Sequence, residues 1–184
     1  MTDMSKFPEF FKSLLPRIKE QNKNWWINLE TGEPIKPPIE EKLILVYTEL
    51  AEAVEAFRKD LNDNHLPHRK GIEVELADAV IRWLDIYNGY DMSFKIEFPD
   101  RWYESTLIGT RTNLELLMNI FNHVDEFYDF EEKVEYNYFL FLITYFCDKN
   151  NLDLKGAIIE KLDYNMTRKD HTIEARKEKN GKKF

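Results

Sequence analysis

The sequence contains a single cysteine, Cys147, among its 184 residues. No intrachain disulfide can form, so we expect a reducing compartment for this protein. The sequence also lacks an apolar run long enough to cross a bilayer, and its first residues lack the apolar core and cleavage site of a signal peptide. These absences predict a cytoplasmic protein with no membrane partner.

Residues that interrupt regular structure are also scarce, since the chain has only six glycines and seven prolines. Long helices with few turns are the expected result. The net charge of -8 argues against binding to nucleic acid polymers or to a membrane surface. A nucleotide substrate stays open, because metal ions can bridge two negative partners. With 43% hydrophobic and 33% charged residues, the chain is predicted to form a single domain over 1–184.

Apolar residues recur at helical spacing in several segments, which predicts an all-α fold. The tail over 174–184 is rich in charged residues, and we expect it to be mobile unless it folds over a ligand. The predicted helices are 7–21, a pair of helices within 40–89, 113–127, 131–149 and 154–170.

Two amphipathic helices joined by a short polar break are predicted between 40 and 89, and each has two acids three residues apart. Glu49 and Glu52 lie on the first helix, and Glu75 and Asp78 lie on the second. Residues at i and i+3 share a helix face, and these acids flank the apolar stripe. If the helices pack antiparallel, the carboxylates converge and repel one another. A bound divalent cation is the simplest neutraliser.

A site made of carboxylates without histidine favours a hard cation over zinc, which means Mg²⁺, with Mn²⁺ as a possible substitute. A ferritin-like di-iron site would place Glu-x-x-His pairs on its helices, so the motifs here argue against it. Magnesium usually takes its remaining ligands from water and substrate phosphates, which suggests nucleotide chemistry. Glu49 or Glu52 is then the candidate general base, and both stay open.

Candidate cationic and amide ligands lie on two of the predicted helices. Lys161, Asn165 and Arg168 recur at i, i+4 and i+7 on the last helix, although spacing alone favours a solvated face there. Arg82 is interpreted either as a surface ion-pair partner of a nearby acid or as a residue that faces phosphate.

Aromatic residues provide candidates for stacking on a nucleobase. Trp25 and Trp26 either cap the core or, for one of them, line the substrate pocket; Trp83 and Tyr164 are further candidates. The predicted hairpin over 113–149 has no paired-acid motif, and we interpret it as scaffold or as a partner surface. His123 in that hairpin is interpreted as a core or surface histidine rather than a ligand.

The motifs ELAE at 49–52 and ELAD at 75–78, on adjacent helices, resemble the signature of the MazG-like all-α NTP pyrophosphohydrolases. Further similarity to one bacterial and phage branch of that family lies in the WW pair before the first helix, in the runs EKLILVYTELAEAVEAFRK and ELADAVIRWLDI, and in KLDYNMTR followed by NGKKF. The resemblance covers 22–90 and 154–184, whereas 95–153 is interpreted as an insertion or a degenerate second hairpin.

The resemblance implies a four-helix-bundle core with an extra helical hairpin, usually assembled as a homodimer or homotetramer. It implies hydrolysis of a nucleoside triphosphate between the α and β phosphates, which releases the monophosphate and pyrophosphate. The metal ligands of the family correspond here to Glu49, Glu52, Glu75 and Asp78, and its basic and amide residues correspond to Lys161 and Asn165, with Arg168 as a further candidate.

Two other functions stay open at this point. One is a non-catalytic helical binding protein that keeps the acids as a metal-stabilised scaffold and holds a partner through 95–153. The other is an enzyme that hydrolyses a related phosphoribosyl nucleotide. The preferred base is also open, and both clean-up of non-canonical nucleotides and control of a dNTP pool fit the sequence.

Overall fold

The computed structural model of the protein describes residues 3–98, 106–130 and 133–182. Within these ranges the regular structure is helical, and β pairing is limited to two isolated antiparallel bridges, Ile27–Pro34 and Asn62–Lys70. The predicted all-α fold is confirmed. In the part of the chain that is described, no helix is both long and apolar enough to cross a membrane.

The helices follow the predicted pattern closely. The predicted helix residues 131 and 132, and 99–105 of the segment interpreted as an insertion, lie outside the described residues. The last long helix ends at Thr167 and is followed by a 3-10 turn at Lys169–His171, so the prediction that it extends to 170 was wrong. The α-helices are α1 (Phe7–Asn22), α2 (Ile39–Lys59), α3 (Gly71–Gly89), α4 (Thr106–Gly109), α5 (Asn113–Phe130), α6 (Lys133–Lys149), α7 (Leu154–Thr167) and α8 (Ile173–Lys177).

Helices α2 and α3 form the antiparallel hairpin that the sequence predicts. Helix α2 ends at Lys59, and the next residue, Asp60, adopts the left-handed conformation (φ 51°, ψ 43°) and donates its N–H to carbonyls of the last turn. In the connection, Oδ1 of the buried Asp63 accepts backbone N–H groups at 2.9 and 2.6 Å. At the start of α3, a Cβ on Gly71 would lie 2.8 Å from the Cβ of Ala56. The close approach of the two helices therefore requires a residue without a side chain at position 71.

The remaining long helices pack around this hairpin. Helices α1 and α7 both pack against α3, while α5 packs on α6 and against α2. The buried apolar side chains of these helices form one continuous cluster. The α2–α3 hairpin is thus covered by α1 and α7 on one part of its surface and by α5 and α6 on another.

Trp83 anchors α3 to the hairpin that α5 and α6 form. Its side chain is fully buried, with ring centroids 5.1 Å from Tyr136, 4.2 Å from Phe139 and 5.0 Å from Phe127. The indole Nε1 of Trp83 donates to the carbonyl of Tyr136 (3.1 Å), and the hydroxyl of Tyr136 donates to the carbonyl of Trp83 (2.9 Å). Trp83 therefore belongs to the core and is inaccessible to a stacking base.

We expect Tyr136→Phe to lower the free energy of unfolding by about 0.5–1.5 kcal/mol, because it removes one buried hydrogen bond without changing the shape of the ring. Urea denaturation followed by circular dichroism measures this loss. Tyr128→Phe is the matched control: Tyr128 is 46% exposed and its hydroxyl donates to Glu40 at the surface. Equal stability losses in the two variants would contradict a special role for the Trp83–Tyr136 pair.

Candidate functional site

Three glutamates converge where α2 faces α3. One carboxylate oxygen each of Glu49, Glu52 and Glu75 lies within 4.8 Å of the other two. Glu49 is buried, Glu75 is half-buried and Glu52 is exposed. The cluster is consequently fixed at the edge of the core and open to solvent on the side of Glu52.

The fourth predicted ligand, Asp78, lies beside this cluster but is not one of its three members. Its Oδ2 is 2.8 Å from Nζ of Lys161, and both side chains are largely buried. On the opposite helix, Oε1 of Glu49 accepts a hydrogen bond of 2.6 Å from Nε of Arg82. Two of the four acids therefore have a cationic partner within the protein.

Burial and crowding change the protonation of these acids. Burial, reinforced by the charge of Asp78, raises the pKa of Glu75 to about 8. Burial and the neighbouring Glu49 also raise the pKa of Glu52. Burial raises the pKa of Asp78 to about 6, although the Lys161 ammonium opposes this change. A positive charge placed among these groups would favour their ionised forms.

The glutamate donor set fits a hard divalent cation. Magnesium and manganese bind carboxylate oxygens, and three oxygens that already lie close together need little rearrangement to share one ion. No histidine or cysteine belongs to this group, so its chemistry does not favour zinc.

The glutamates line one end of a cavity of about 450 Å³. Its walls come from α2, α3, α7, the end of α1 with the 3-10 turn Lys23–Trp26 that follows it, His65 in the α2–α3 connection, and the C-terminal segment. The cavity brings together most of the residues that the sequence predicted for the site, namely Trp25, Glu49, Glu52, Glu75, Asp78, Arg82, Lys161, Asn165 and Arg168.

The three candidates of the last long helix differ in their surroundings. Lys161 is only 4% exposed, so the interpretation of this position as part of a solvated face was wrong. The amide oxygen of Asn165 is buried and has no hydrogen-bond partner among the described residues. Arg168 lines the cavity while its guanidinium pairs with Asp170 at 2.7 Å. A buried amide oxygen without a donor costs free energy, and the side chain of Asn165 also lines the cavity.

The two adjacent tryptophans point to different surroundings. Trp25 lines the cavity and packs against the guanidinium of Arg176, 4.0 Å from its ring centroid, and against the edge of His171. Trp26 is not among the cavity-lining residues. Its indole N–H instead donates to both carboxylate oxygens of Asp85, at 3.1 and 3.2 Å.

The C-terminal segment contributes residues that the sequence analysis did not predict. His171 and Lys182 line the cavity, and Lys182 pairs with Asp170 at 2.8 Å. The buried Arg176 donates to the backbone carbonyl of Asn24, beside Trp25. The tail as far as 182 thus folds against the cavity, and its polar sequence has no apolar periodicity that would have predicted this.

Lys42 and Asp85 are two further cavity residues; the sequence predicted no role for Lys42 and only a possible ion pair with Arg82 for Asp85, whereas Arg82 pairs with Glu49. Lys42 and Asp85 are both buried, with 5% and 8% of their surface exposed. Lys42 lies seven positions before Glu49 and Asp85 lies ten positions after Glu75. Lys42 is thus at i−7 from Glu49 and Asp85 is at i+7 from Asp78, so each lies on the face of an acid of its own helix, and this spacing can be read from the sequence.

A second group of possible metal ligands lies in the α5–α6 hairpin. Nδ1 of His123 is 2.7 Å from Glu126 and 2.6 Å from Glu135, and these ligand atoms lie within 4.8 Å of one another. One histidine nitrogen shared by two carboxylates ties α5 to α6 through an ion pair when the imidazole is protonated.

No protein-family model, no curated protein and no solved structure matches this chain significantly.

Without metal, we expect Glu75 to make stability depend on pH. Its pKa in the folded protein is about 8, against an ordinary value of 4.5, so the folded state keeps a proton that the unfolded state loses. The free energy of unfolding should therefore fall as pH rises from about 5 to about 8. Urea denaturation in chelator across this range measures the slope, and Glu75→Gln should flatten it.

Glu55→Gln is the matched control, because Glu55 lies on α2 outside the cluster and pairs with Arg58 at 2.7 Å. This control should keep the slope of the parent protein. A Glu75→Gln variant with the same slope as the parent would contradict the assignment of a shared, partly protonated carboxylate cluster.

Proposed function

We propose that this protein is a Mg²⁺-dependent nucleoside triphosphate pyrophosphohydrolase of the MazG-like, all-α kind. It cleaves a (d)NTP between the α and β phosphates and releases (d)NMP and pyrophosphate. The observation that carries this proposal is the cluster of three glutamate oxygens within 4.8 Å at one end of a cavity whose walls also hold Arg82, Lys161 and Arg168. Carboxylates and cations beside one cavity suit a metal-bound triphosphate.

Glu49, Glu52 and Glu75 would hold the cation, since their oxygens are close enough to share one ion. When bound, Mg²⁺ supplies positive charge to phosphate oxygens and lowers the pKa of a water. Asp78 lies next to the three glutamates and keeps the ammonium of Lys161 directed to this end of the cavity, at 2.8 Å.

Glu52 is the best-placed general base. Glu49 already accepts a hydrogen bond from Arg82, whereas Glu52 is exposed and has no ion pair among the described residues. Because Glu52 reaches solvent, one of its oxygens can bind the cation while the other accepts a proton. Glu52 takes a proton from the attacking water, the water oxygen bonds to the α phosphorus, and the bond from this phosphorus to the bridging oxygen breaks.

The cationic residues offset the charge of the substrate. Arg82 is 39% exposed at its side chain and can exchange Glu49 for a phosphate oxygen. Lys161 and Arg168 stand on the α7 side of the cavity, and the amide of Asn165 in the same wall would hydrogen-bond phosphate or sugar. These contacts hold the triphosphate and stabilise the departing pyrophosphate.

A metal-stabilised binding protein is the second candidate, and one observation favours it. The pairs Arg82–Glu49 and Lys161–Asp78 neutralise two of the four acids without any ligand, as a structural ion-pair network would. Release of pyrophosphate from nucleoside triphosphates separates the two candidates, because a scaffold of this kind has no turnover.

With Mg²⁺ present, we expect at least one canonical or modified dNTP to yield the monophosphate and pyrophosphate, and chelator to stop the reaction. Anion-exchange chromatography of the products measures this directly. Formation of diphosphate and orthophosphate would refute cleavage between the α and β phosphates, even with a functional metal site.

Glu52→Gln should abolish turnover, because it removes both a metal ligand and the proposed base. Without metal, the variant should melt at the same temperature as the parent or higher, since one repelling charge is lost. Its stabilisation by added Mg²⁺ should shrink, compared with about 2.7 kcal/mol for a ligand at a hundredfold excess over Kd. Thermal melts in chelator and in Mg²⁺ measure both effects.

Glu55→Gln again serves as the control and should keep turnover and the full response to Mg²⁺. A Glu52→Gln variant that melts far below the parent in chelator, with an unchanged response to Mg²⁺, would show that Glu52 is structural.

A further inference from the structure

The end of the cavity away from the glutamates contains two buried charged side chains, Lys42 on α2 and Asp85 on α3. Lysine and aspartate are rarely buried unless their polar atoms are paired. The proposed chemistry at the glutamates uses neither of them. Their burial beside a cavity calls for a ligand or a structural partner.

The ammonium of Lys42 has few partners in the protein. Its Nζ donates to the backbone carbonyl of Trp25 at 3.4 Å and lies 4.3 Å from the ring centroid of Trp26. An ammonium has three N–H donors, so the described residues accept only one of them as a hydrogen bond. Burial lowers the pKa of Lys42, and the charge of Asp85 opposes this change.

The carboxylate of Asp85 also has acceptor capacity left. Both of its oxygens accept from the indole N–H of Trp26, at 3.1 and 3.2 Å, and the side chain of Asn22 is a further donor to this carboxylate. A carboxylate has about four acceptor sites, so further donors can bind. Burial raises the pKa of Asp85 to about 6, and Lys42 works against that change.

Lys42 and Asp85 lie far enough from the glutamates to contact the opposite end of an extended substrate. Lys42 lies seven residues from Glu49 along α2, which is about 10 Å at the α-helical rise, and Asp85 lies ten residues from Glu75, about 15 Å along α3. A nucleoside triphosphate has its phosphates at one end and its base at the other. With the phosphates at the glutamates, the base lies towards Lys42 and Asp85.

We infer that Lys42 and Asp85 determine base specificity by reading the hydrogen-bonding edge of the nucleobase, and that they select bases with a carbonyl next to a ring N–H. Guanine, hypoxanthine, uracil and thymine have this lactam edge. The Lys42 ammonium donates to the carbonyl oxygen, and the Asp85 carboxylate accepts from the ring N–H. This inference rests on the proposed function and adds the class of substrate.

Adenine and cytosine fit the pair less well. Their ring nitrogen at the corresponding position is an acceptor, so it repels the Asp85 carboxylate instead of donating to it. In the reversed orientation, the amino group of adenine or cytosine would face Asp85 and the ring nitrogen would face Lys42. A carbonyl oxygen has two lone pairs that accept over a broad range of directions, so it suits the flexible lysine better than this ring nitrogen does. A buried site that hydrogen-bonds its substrate strongly rejects an analogue that leaves these groups unpaired.

The experiment compares substrates that differ only at this edge. With Mg²⁺, kcat/KM of the parent protein should be at least tenfold higher for dUTP than for dCTP, and for dITP than for dATP. Lys42→Met and Asp85→Asn should each reduce both ratios to below about threefold, because an uncharged side chain no longer fixes the donor and acceptor order. Each ratio comes from one preparation, so a partly folded variant does not distort it.

Lys59→Met and Asp60→Asn are the matched controls. Both residues are exposed at the end of α2 and outside the cavity, and both ratios should stay at the parent values. Dissociation constants of the α,β-methylene analogues of the four nucleotides should follow the same order, which tests recognition separately from turnover.

The outcomes separate this inference from the proposed function. A parent protein that hydrolyses no nucleoside triphosphate refutes the proposed function itself. A parent that hydrolyses all four substrates with ratios near one, or that prefers dCTP and dATP, overturns only the base inference, and this holds even if a variant fails to fold. Uniform loss of activity with unchanged ratios in Lys42→Met overturns it as well, because that pattern means that Lys42 binds phosphate.

Discussion

The structure depends on the apolar packing of α2 against α3, which holds like charges together at the edge of the interface. Helices α2 and α3 pack closely enough that Gly71 meets the Cβ of Ala56, and the same packing brings Glu49, Glu52 and Glu75 together. Burial and mutual repulsion both oppose this arrangement of charges, and together they raise the pKa of Glu75. Packing energy from the apolar stripes holds the acids in place against these costs.

The cations of the site have two alternative sets of partners. In the protein alone, Arg82 pairs with Glu49 and Lys161 pairs with Asp78, which limits the repulsion among the acids. A metal ion among the acids would take over that role and leave the arginine and lysine to meet phosphate oxygens. Under the proposed function, these ion pairs would hold Arg82 and Lys161 where a charged substrate binds.

The rest of the chain shapes the cavity around this hairpin. Trp83 packs α3 against the α5–α6 hairpin, which accounts for the burial of that face of α3. On the other side, Arg176 packs on Trp25 and brings the C-terminal segment to the cavity. Lys42 and Asp85 give the far end of the cavity a polar character that differs from the acidic end. A cavity with two chemically distinct ends suits a substrate that is itself polar at both ends.

The sequence by itself determined the helices and the placement of the acids along them, because helical periodicity and i, i+3 spacing depend only on nearby residues. The tertiary structure alone decided which acids share one cluster and which acid pairs with a lysine. Asp78 pairs with Lys161, which lies 83 positions later in the chain on another helix. The tertiary structure also decided that Trp25 faces the cavity while Trp26 binds Asp85, and that the polar C-terminal segment folds back. Such contacts join distant segments, and their geometry follows from how whole helices dock rather than from any local pattern of residues.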